Sequence, residues 1–107
     1  MCIFQPHTYS RTRALLKDFT CVLSKFDDVI ILPTYKAREN YDYFGSARRL
    51  FSLIKMNKQN TYYCPPKSIR YLLKDYLSSD AVFLFLGAGD VNKFAREFVL
   101  DVSPIDY

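Results

Sequence analysis

Four short apolar runs, each followed by a longer stretch of helical period, constrain the fold of this chain more than any other feature. The runs are rich in β-branched and aromatic residues, and the stretches between them place apolar residues three or four positions apart. The runs are residues 2–4, 29–32, 61–64 and 81–86. This alternation predicts the order βαβαβαβα. Because each run is nearly all apolar, it also predicts a mainly parallel, Rossmann-like sheet in a three-layer αβα fold.

The helical stretches carry apolar stripes suited to packing against such a sheet. The first predicted helix presents a wide stripe: Ala14, Leu15, Leu16, Phe19, Val22, Leu23 and Phe26. A second helix is predicted over 47–56, and a third starts after Pro65 and Pro66 and uses Tyr76 and Leu77 on its inner face. Asp90 is placed to cap the last helix. Four helices therefore alternate with the four strands.

Length and composition indicate one folded domain over residues 1–107. Half of the residues are apolar, and the formal net charge is only +4. The basic residues are scattered, which favours solvated helix faces over a nucleic-acid site. The three cysteines form no disulfide framework or metal pair, and Cys2 and Cys21 are expected to be buried. With no apolar run long enough for a membrane span and no signal-peptide pattern, the expected location is the cytoplasm.

Any ligand site is expected where the strands end. In parallel α/β sheets, ligands bind outside the carboxyl ends of the strands. In this chain those ends are followed by residues 5–11, 33–39, 64–66 and 87–90. Candidate functional residues are therefore sought in these four segments.

The sequence Gly87-Ala88-Gly89 lies between the last strand and the last helix. It lacks the third glycine of the dinucleotide fingerprint. That fingerprint occurs in the first strand–helix turn of its fold, whereas these glycines lie in the last, so a nicotinamide cofactor is not expected. Two readings stay open: a tight turn without a ligand, or free amides at a helix start that hold an anion. No phosphate-loop pattern and no metal-spaced Cys/His cluster occurs in the sequence.

Charged residues and one histidine flank the first two strand ends. His7 follows the first strand closely, and Arg11 and Arg13 come at the start of the next helix. A cation there is disfavoured by the helix dipole, so either both arginines point into water or one of them holds a carboxylate or phosphate. Arg38 and Glu39 could add a second charged pair facing the same space.

Residues 4–13, which read F-Q-P-H-T-Y-S-R-T-R, resemble a motif of the UDP-N-acetylmuramate–L-alanine ligases. The later segments A-R-E at 37–39 and G-A-G-D at 87–90 match the third domain of that family in order and spacing. The resemblance covers residues 2–99. The F-Q-P-H stretch distinguishes this family from the related ligases that add later residues.

The resemblance implies an ATP-dependent amide-forming ligase of peptidoglycan synthesis. In that family the substrate carboxylate is activated as an acyl phosphate, and the amine of L-alanine displaces the phosphate. ATP and Mg²⁺ are held mainly by a central domain that this chain does not include. By this analogy, Arg11 helps to hold the alanine carboxylate and His7 lines the cleft. Thr8 stands where an arginine is common, and the other implied substrate-binding residues are Tyr35, Arg38, Gly87, Ala88 and Gly89.

The resemblance also implies a partial domain. The family's third domain begins with another strand–helix unit before F-Q-P-H, and here Met1 directly precedes the strand. We therefore expect no ATP hydrolysis and no ligase activity from this chain alone. An open sheet edge could promote self-association. The alternative hypothesis is a non-catalytic module that binds or senses a small molecule on the same fold.

Overall fold

The computed structural model describes residues 1–58, 60–74, 81–87 and 90–102. The strands and helices within these residues follow the predicted order. They are β1 (Cys2–Gln5), α1 (Tyr9–Ala14), α2 (Leu16–Leu23), β2 (Val29–Ile31), α3 (Ala47–Lys55), β3 (Thr61–Tyr63), α4 (Ile69–Leu73), β4 (Leu84–Gly87) and α5 (Val91–Val102). Short 3₁₀ turns over Tyr43–Gly45 and Pro66–Ser68 precede α3 and α4.

The four strands form one parallel sheet in the order β3-β2-β1-β4. Phe4 is in register with Ile31 on one side and with Leu86 on the other. The chain moves outward from β1 to β3 and then returns to the opposite side of β1 to form β4. Right-handed crossovers place the connecting helices on opposite faces when the direction reverses. The junction between β1 and β4 is therefore the topological switch point of the sheet, where α/β folds bind ligands.

Two apolar clusters fill the space between the sheet and its two helical layers. On the first face, Cys2 and Phe4 pack with α2 and α3, and Leu50 and Ile54 of α3 are fully buried. On the second face, Ile3 packs with α4 and α5. The buried members of this second cluster are Ile3, Ile30, Leu32, Cys64, Ile69, Leu73 and Phe98. The predicted three-layer, Rossmann-like α/β class is confirmed.

The first predicted helix is divided at Leu15. Its backbone leaves helical geometry there (φ −109°, ψ 16°), so α1 is short and α2 starts in a new direction. The predicted apolar stripe therefore includes residues that do not face the sheet. Leu16, Phe19 and Leu23 pack on the sheet, whereas Val22 is exposed. Cys21 is also exposed, contrary to expectation, because it lies on the outer face of α2.

The last apolar run forms a shorter strand than predicted. Only Leu84–Gly87 pairs with β1, and Val82 is 76% exposed. Tyr76 and Leu77, predicted on the inner face of the third helix, lie outside the described residues. Within the described ranges, no helix has the length and apolarity that crossing a membrane requires.

Candidate functional site

The turn that follows β1 is joined to the loop that follows β2. Tyr35 donates its backbone N–H to the carbonyl of Pro6 (2.8 Å) and accepts from the backbone N–H of Thr8 (2.7 Å). The rings of His7 and Tyr35 stack with centroids 5.4 Å apart and planes 19° from parallel. Parallel pairing thus continues beyond the regular sheet as a bridge between His7 and Tyr35, which brings two of the predicted site residues together.

Thr8 has a strained backbone at the end of this bridge. Its φ of 58° and ψ of 153° are rare for any residue with a side chain, and such strain costs about 1–3 kcal/mol. Local bonds hold the conformation: the Thr8 hydroxyl accepts from the N–H of Arg11 (3.3 Å), and the Thr8 carbonyl accepts from the hydroxyl of buried Thr12 (2.8 Å). Thr8 therefore serves as the N-cap of α1. Nothing in the local sequence indicates this strain.

Glu39 binds the amino end of α1. Its carboxylate accepts from the backbone N–H groups of Tyr9 (2.6 Å) and Ser10 (3.0 Å) and from the Ser10 hydroxyl. The side-chain and backbone hydrogen bonds from Ser10 lower the pKa of Glu39 below its ordinary value. Glu39 is thus committed to a helix terminus, where a negative charge is stabilised. The sequence offered no signal for this pairing across about thirty residues.

The arginines near the site differ in their contacts. Arg13 forms an ion pair with Asp42 (3.3 Å) and lies over the ring of Phe44. Arg11 and Arg38 are exposed, and neither makes a side-chain hydrogen bond or ion pair with another described residue. Arg11 lies three residues after Thr8 on the first turn of α1. Of the two arginines on α1, the structure leaves Arg11 available to an anionic ligand.

Gly87 ends β4 directly beside the end of β1. It pairs with Gln5, and its φ of +139° is a conformation that residues with side chains rarely adopt. A Cβ at this position would lie 2.5 Å from the Gln5 carbonyl oxygen, so only glycine fits the approach. Ala88 and Gly89 lie outside the described residues. For Gly87, the expectation that the first and last strand-end turns meet at one edge of the sheet is confirmed.

A groove of about 340 Å³ opens at this edge of the sheet. Its lining residues come from the ends of all four strands and from α5: Gln5, Pro33, Thr34, Tyr35, Lys36, Ala37, Pro66, Asp90 and Phe94. Gln5 is only 4% exposed, and its side-chain Oε1 has no hydrogen-bond partner among the described residues. Nδ1 of His7 is likewise buried without such a partner. Gln5 was not among the residues predicted for the site, although a polar residue at the end of an apolar strand is a signal that could have indicated it.

In the described parts of the chain, no group of three or more His, Cys, Asp or Glu side chains could hold a metal ion. The polar groups along this edge of the sheet are the His7 imidazole, the Gln5 amide, the hydroxyls of Thr34 and Tyr35, the Lys36 ammonium and the Asp90 carboxylate, which can bind a charged or hydrogen-bonding small molecule.

Comparison with known proteins shows clear relatives. No family model matches the chain. It is 40% identical over 95 residues to the UDP-N-acetylmuramate–L-alanine ligase of Alkaliphilus metalliredigens, an alignment covering 89% of this chain and 21% of the relative. It is 39% identical over 105 residues to the protein of the same name from Caldicellulosiruptor saccharolyticus, covering 96% of this chain and 23% of the relative.

A third relative extends the comparison. The UDP-N-acetylmuramate–L-alanine ligase of Acetivibrio thermocellus is 38% identical over 105 residues, covering 96% of this chain and 22% of that protein. The chain thus spans about a fifth of the length of the curated relatives it matches. The chain is homologous, along nearly its whole length, to the UDP-N-acetylmuramate–L-alanine ligases and corresponds to about one fifth of such a protein.

Proposed function

We propose that this chain is the amino-acid-binding, C-terminal domain of an ATP-dependent ligase that joins L-alanine to UDP-N-acetylmuramate in peptidoglycan synthesis. The observation that carries the proposal is the homology to ligases of that name over 89–96% of the chain. It is supported by the position of the F-Q-P-H motif, which spans the end of β1 and the turn after it, at the switch point of the sheet. We assign residues 1–107 to this domain.

Arg11 is proposed to bind the carboxylate of L-alanine. Its guanidinium is exposed on α1 and is not engaged by a described acidic residue, whereas Arg13 on the same helix is paired with Asp42. A fork of N–H donors suits a carboxylate. Thr8 replaces the arginine that is common in the family, which leaves Arg11 as the principal cation of this turn.

The remaining site residues are proposed to shape the cleft around the amino acid. His7 and Tyr35 present a stacked aromatic pair at the strand ends, and Arg38 lies on the same loop as Tyr35. Gly87, Ala88 and Gly89 are proposed to let backbone approach the ligand, a role that the close contact of Gly87 with Gln5 supports. Each of these roles is a matter of positioning, because the activation of the carboxylate by ATP belongs to other parts of the complete enzyme.

ATP and Mg²⁺ are proposed to bind mainly outside this chain, in the central domain of the complete enzyme. The printed sequence contains no phosphate loop, and the described residues contain no acidic metal cluster. UDP-N-acetylmuramate and the upstream domains are the other proposed partners, with no role for nucleic acid or a membrane. We propose that the complete enzyme acts in the cytoplasm, where ATP is available.

The proposal is tested by phosphate release in the presence of ATP, Mg²⁺, UDP-N-acetylmuramate and L-alanine. We expect no turnover from the purified 107-residue chain and L-alanine-dependent turnover from the complete protein that carries it. Turnover by the isolated chain would show that the catalytic machinery lies within it and would contradict the proposal. A complete protein that uses another amino acid in preference would contradict the assignment of the substrate.

Arg11→Ala in the complete enzyme tests the binding role. The substitution removes the guanidinium from a desolvated charge pair and leaves the alanine carboxylate without its partner. We expect alanine binding to weaken by about 2–4 kcal/mol, seen as a higher KM for L-alanine. Arg13→Ala is the matched control, since its guanidinium is already paired with Asp42. Equal KM values for the two variants would remove Arg11 from the site.

We also propose that isolated copies of the chain associate through β4. This strand is at the end of the described sheet, and residues 81–87 carry no charge that would discourage pairing between edges. Sedimentation of Leu84→Lys against the wild-type chain tests this, with fewer dimers expected from the variant. A monomeric wild-type chain would refute the association.

A further inference from the structure

Gln5 is a buried polar group that the proposed roles above do not use. It is the last residue of β1, it is 4% exposed, and its Oε1 has no hydrogen-bond partner among the described residues. A buried acceptor without a partner is destabilising, because its hydration is lost and no bond offsets the loss. Most buried polar atoms in folded proteins are paired, so an unpaired one requires a specific explanation.

The side chain of Gln5 reaches the groove between the strand ends. Side chains alternate along β1, and Ile3 packs in the cluster with α4 and α5, so Gln5 lies on that same face. There it lines the groove together with Pro66, Phe94 and Asp90. The groove volume of about 340 Å³ exceeds that of several water molecules and is enough for a small ligand.

The chemistry of the lining favours an amino group over a carboxylate at Gln5. An unpaired Oε1 needs a donor, and Asp90 adds a second acceptor to the same groove. Lys36 is the one basic side chain in the lining; it and Asp90 are both exposed, so the buried Oε1 of Gln5 is the group that distinguishes an amine from a carboxylate. Pro66 and Phe94 supply apolar walls that suit a short aliphatic part. The groove therefore fits a small molecule with a primary amine on an aliphatic carbon.

We propose that Oε1 of Gln5 accepts a hydrogen bond from the amino group of a small amino acid held in this groove. The identification of that amino acid as L-alanine rests on the proposed function. Gln5 then positions the amine of the ligand. A neutral amide orients an amino group without stabilising its charged form as strongly as a carboxylate does.

The experiment uses the 107-residue chain and three ligands: L-alanine, ethylamine and propionate. Gln5→Met keeps the length of the side chain and removes the acceptor. We expect the Kd for L-alanine and for ethylamine to rise about tenfold, the effect of one hydrogen bond to a charged donor, with no change for propionate. The Tm of the ligand-free variant should rise by about 4 °C, because the unpaired polar atom is gone.

Two further variants control for folding. Thr61→Val removes a hydroxyl that is equally buried but donates to the carbonyl of Lys58 (2.8 Å), so we expect a lower Tm and unchanged Kd values. Gln5→Glu retains the acceptor and should bind ethylamine at pH 8 at least as tightly as the wild-type chain. This second variant keeps the test decisive even where Gln5→Met does not fold.

Three results would overturn the proposal. A weaker affinity of Gln5→Met for propionate would mean that the amide holds a carboxylate. Unchanged Kd values for Gln5→Met would mean that Oε1 is satisfied by water alone. A wild-type chain that shows no saturable binding of L-alanine up to its solubility limit would also refute it. The ligase assignment would survive each of these results, since phosphate release by the complete enzyme tests it separately.

Discussion

The strands β2 and β4 both consist mainly of large apolar residues, but their surroundings are very different. Ile30 and Ile31 of β2 are fully buried, whereas Leu84 of β4 is 42% exposed. β2 has a strand on each side and a helical layer on each face, while β4 pairs only with β1 among the described strands. On β4, Phe85 packs in the cluster with α5 and Leu84 lies on the other face. An apolar run therefore predicts a strand but not its place in the sheet.

The largest expected difference between the two strands is in truncation of a side chain. Ile30→Ala should lower the free energy of unfolding by about 2–5 kcal/mol, because it leaves a cavity in a core that cannot collapse around it. Leu84→Ala should cost less than about 1 kcal/mol, since its side chain is already partly hydrated. Urea unfolding followed by circular dichroism measures both.

Similar losses for the two truncations would break this comparison. They would show that the open side of β4 is covered in solution, for example by a second copy. Repeating the Leu84→Ala measurement across a range of protein concentrations separates that case, because stability from association depends on concentration.

Gly87, also on β4, should tolerate substitution less well than Leu84. The expected loss of stability is nevertheless smaller than for Ile30→Ala. Gly87 is exposed like Leu84, but a Cβ there would lie 2.5 Å from the Gln5 carbonyl oxygen at a φ of +139°. We expect Gly87→Ala to lower the free energy of unfolding by about 1–3 kcal/mol. The matched control is Val82→Ala, an exposed position beside the strand, which should change stability little. Equal tolerance at both positions would contradict the close approach of β4 to β1.

The smallest expected effect concerns the loop beyond β2. Glu39→Gln removes the carboxylate that binds the amino end of α1, so the variant should be less stable at neutral pH. Hydrogen bonds from Ser10 hold the pKa of Glu39 below its ordinary value. Its contribution is therefore complete above the ordinary glutamate pKa and is lost as the pH falls through the lower folded value.

Thermal unfolding at a series of pH values checks this sign. The wild-type chain and Glu39→Gln should differ at pH 7 and converge in acid. Glu97→Gln on α5 is the control, because Glu97 is exposed and makes no hydrogen bond or ion pair with a described residue. A difference that grows in acid would contradict the role of Glu39 as a charged cap.

Positions in the site could be predicted from the sequence where they depend on local patterns. They could not be predicted where they depend on contacts between segments far apart in the chain. The sequence predicted that the segments containing His7, Tyr35 and Gly87 meet at one edge because parallel strands end there, and the structure places these three residues at that edge. The contact of Glu39 with α1 and the unpaired amide of Gln5 were not found. Both depend on distances between segments far apart in the chain, and no local pattern encodes such distances. The binding roles of all the predicted site residues stay predictions.

By itself, the sequence determined the order of strands and helices, their parallel arrangement and the family resemblance in residues 4–13. These features follow from hydrophobic period and local motif, which act over a few residues. Only the tertiary structure decided that β1 lies at the centre, that β4 lies at the end of the described sheet, and that Gln5 faces the groove. Strand order is set by which faces can be buried together, and that is a property of the assembled layers rather than of any one segment.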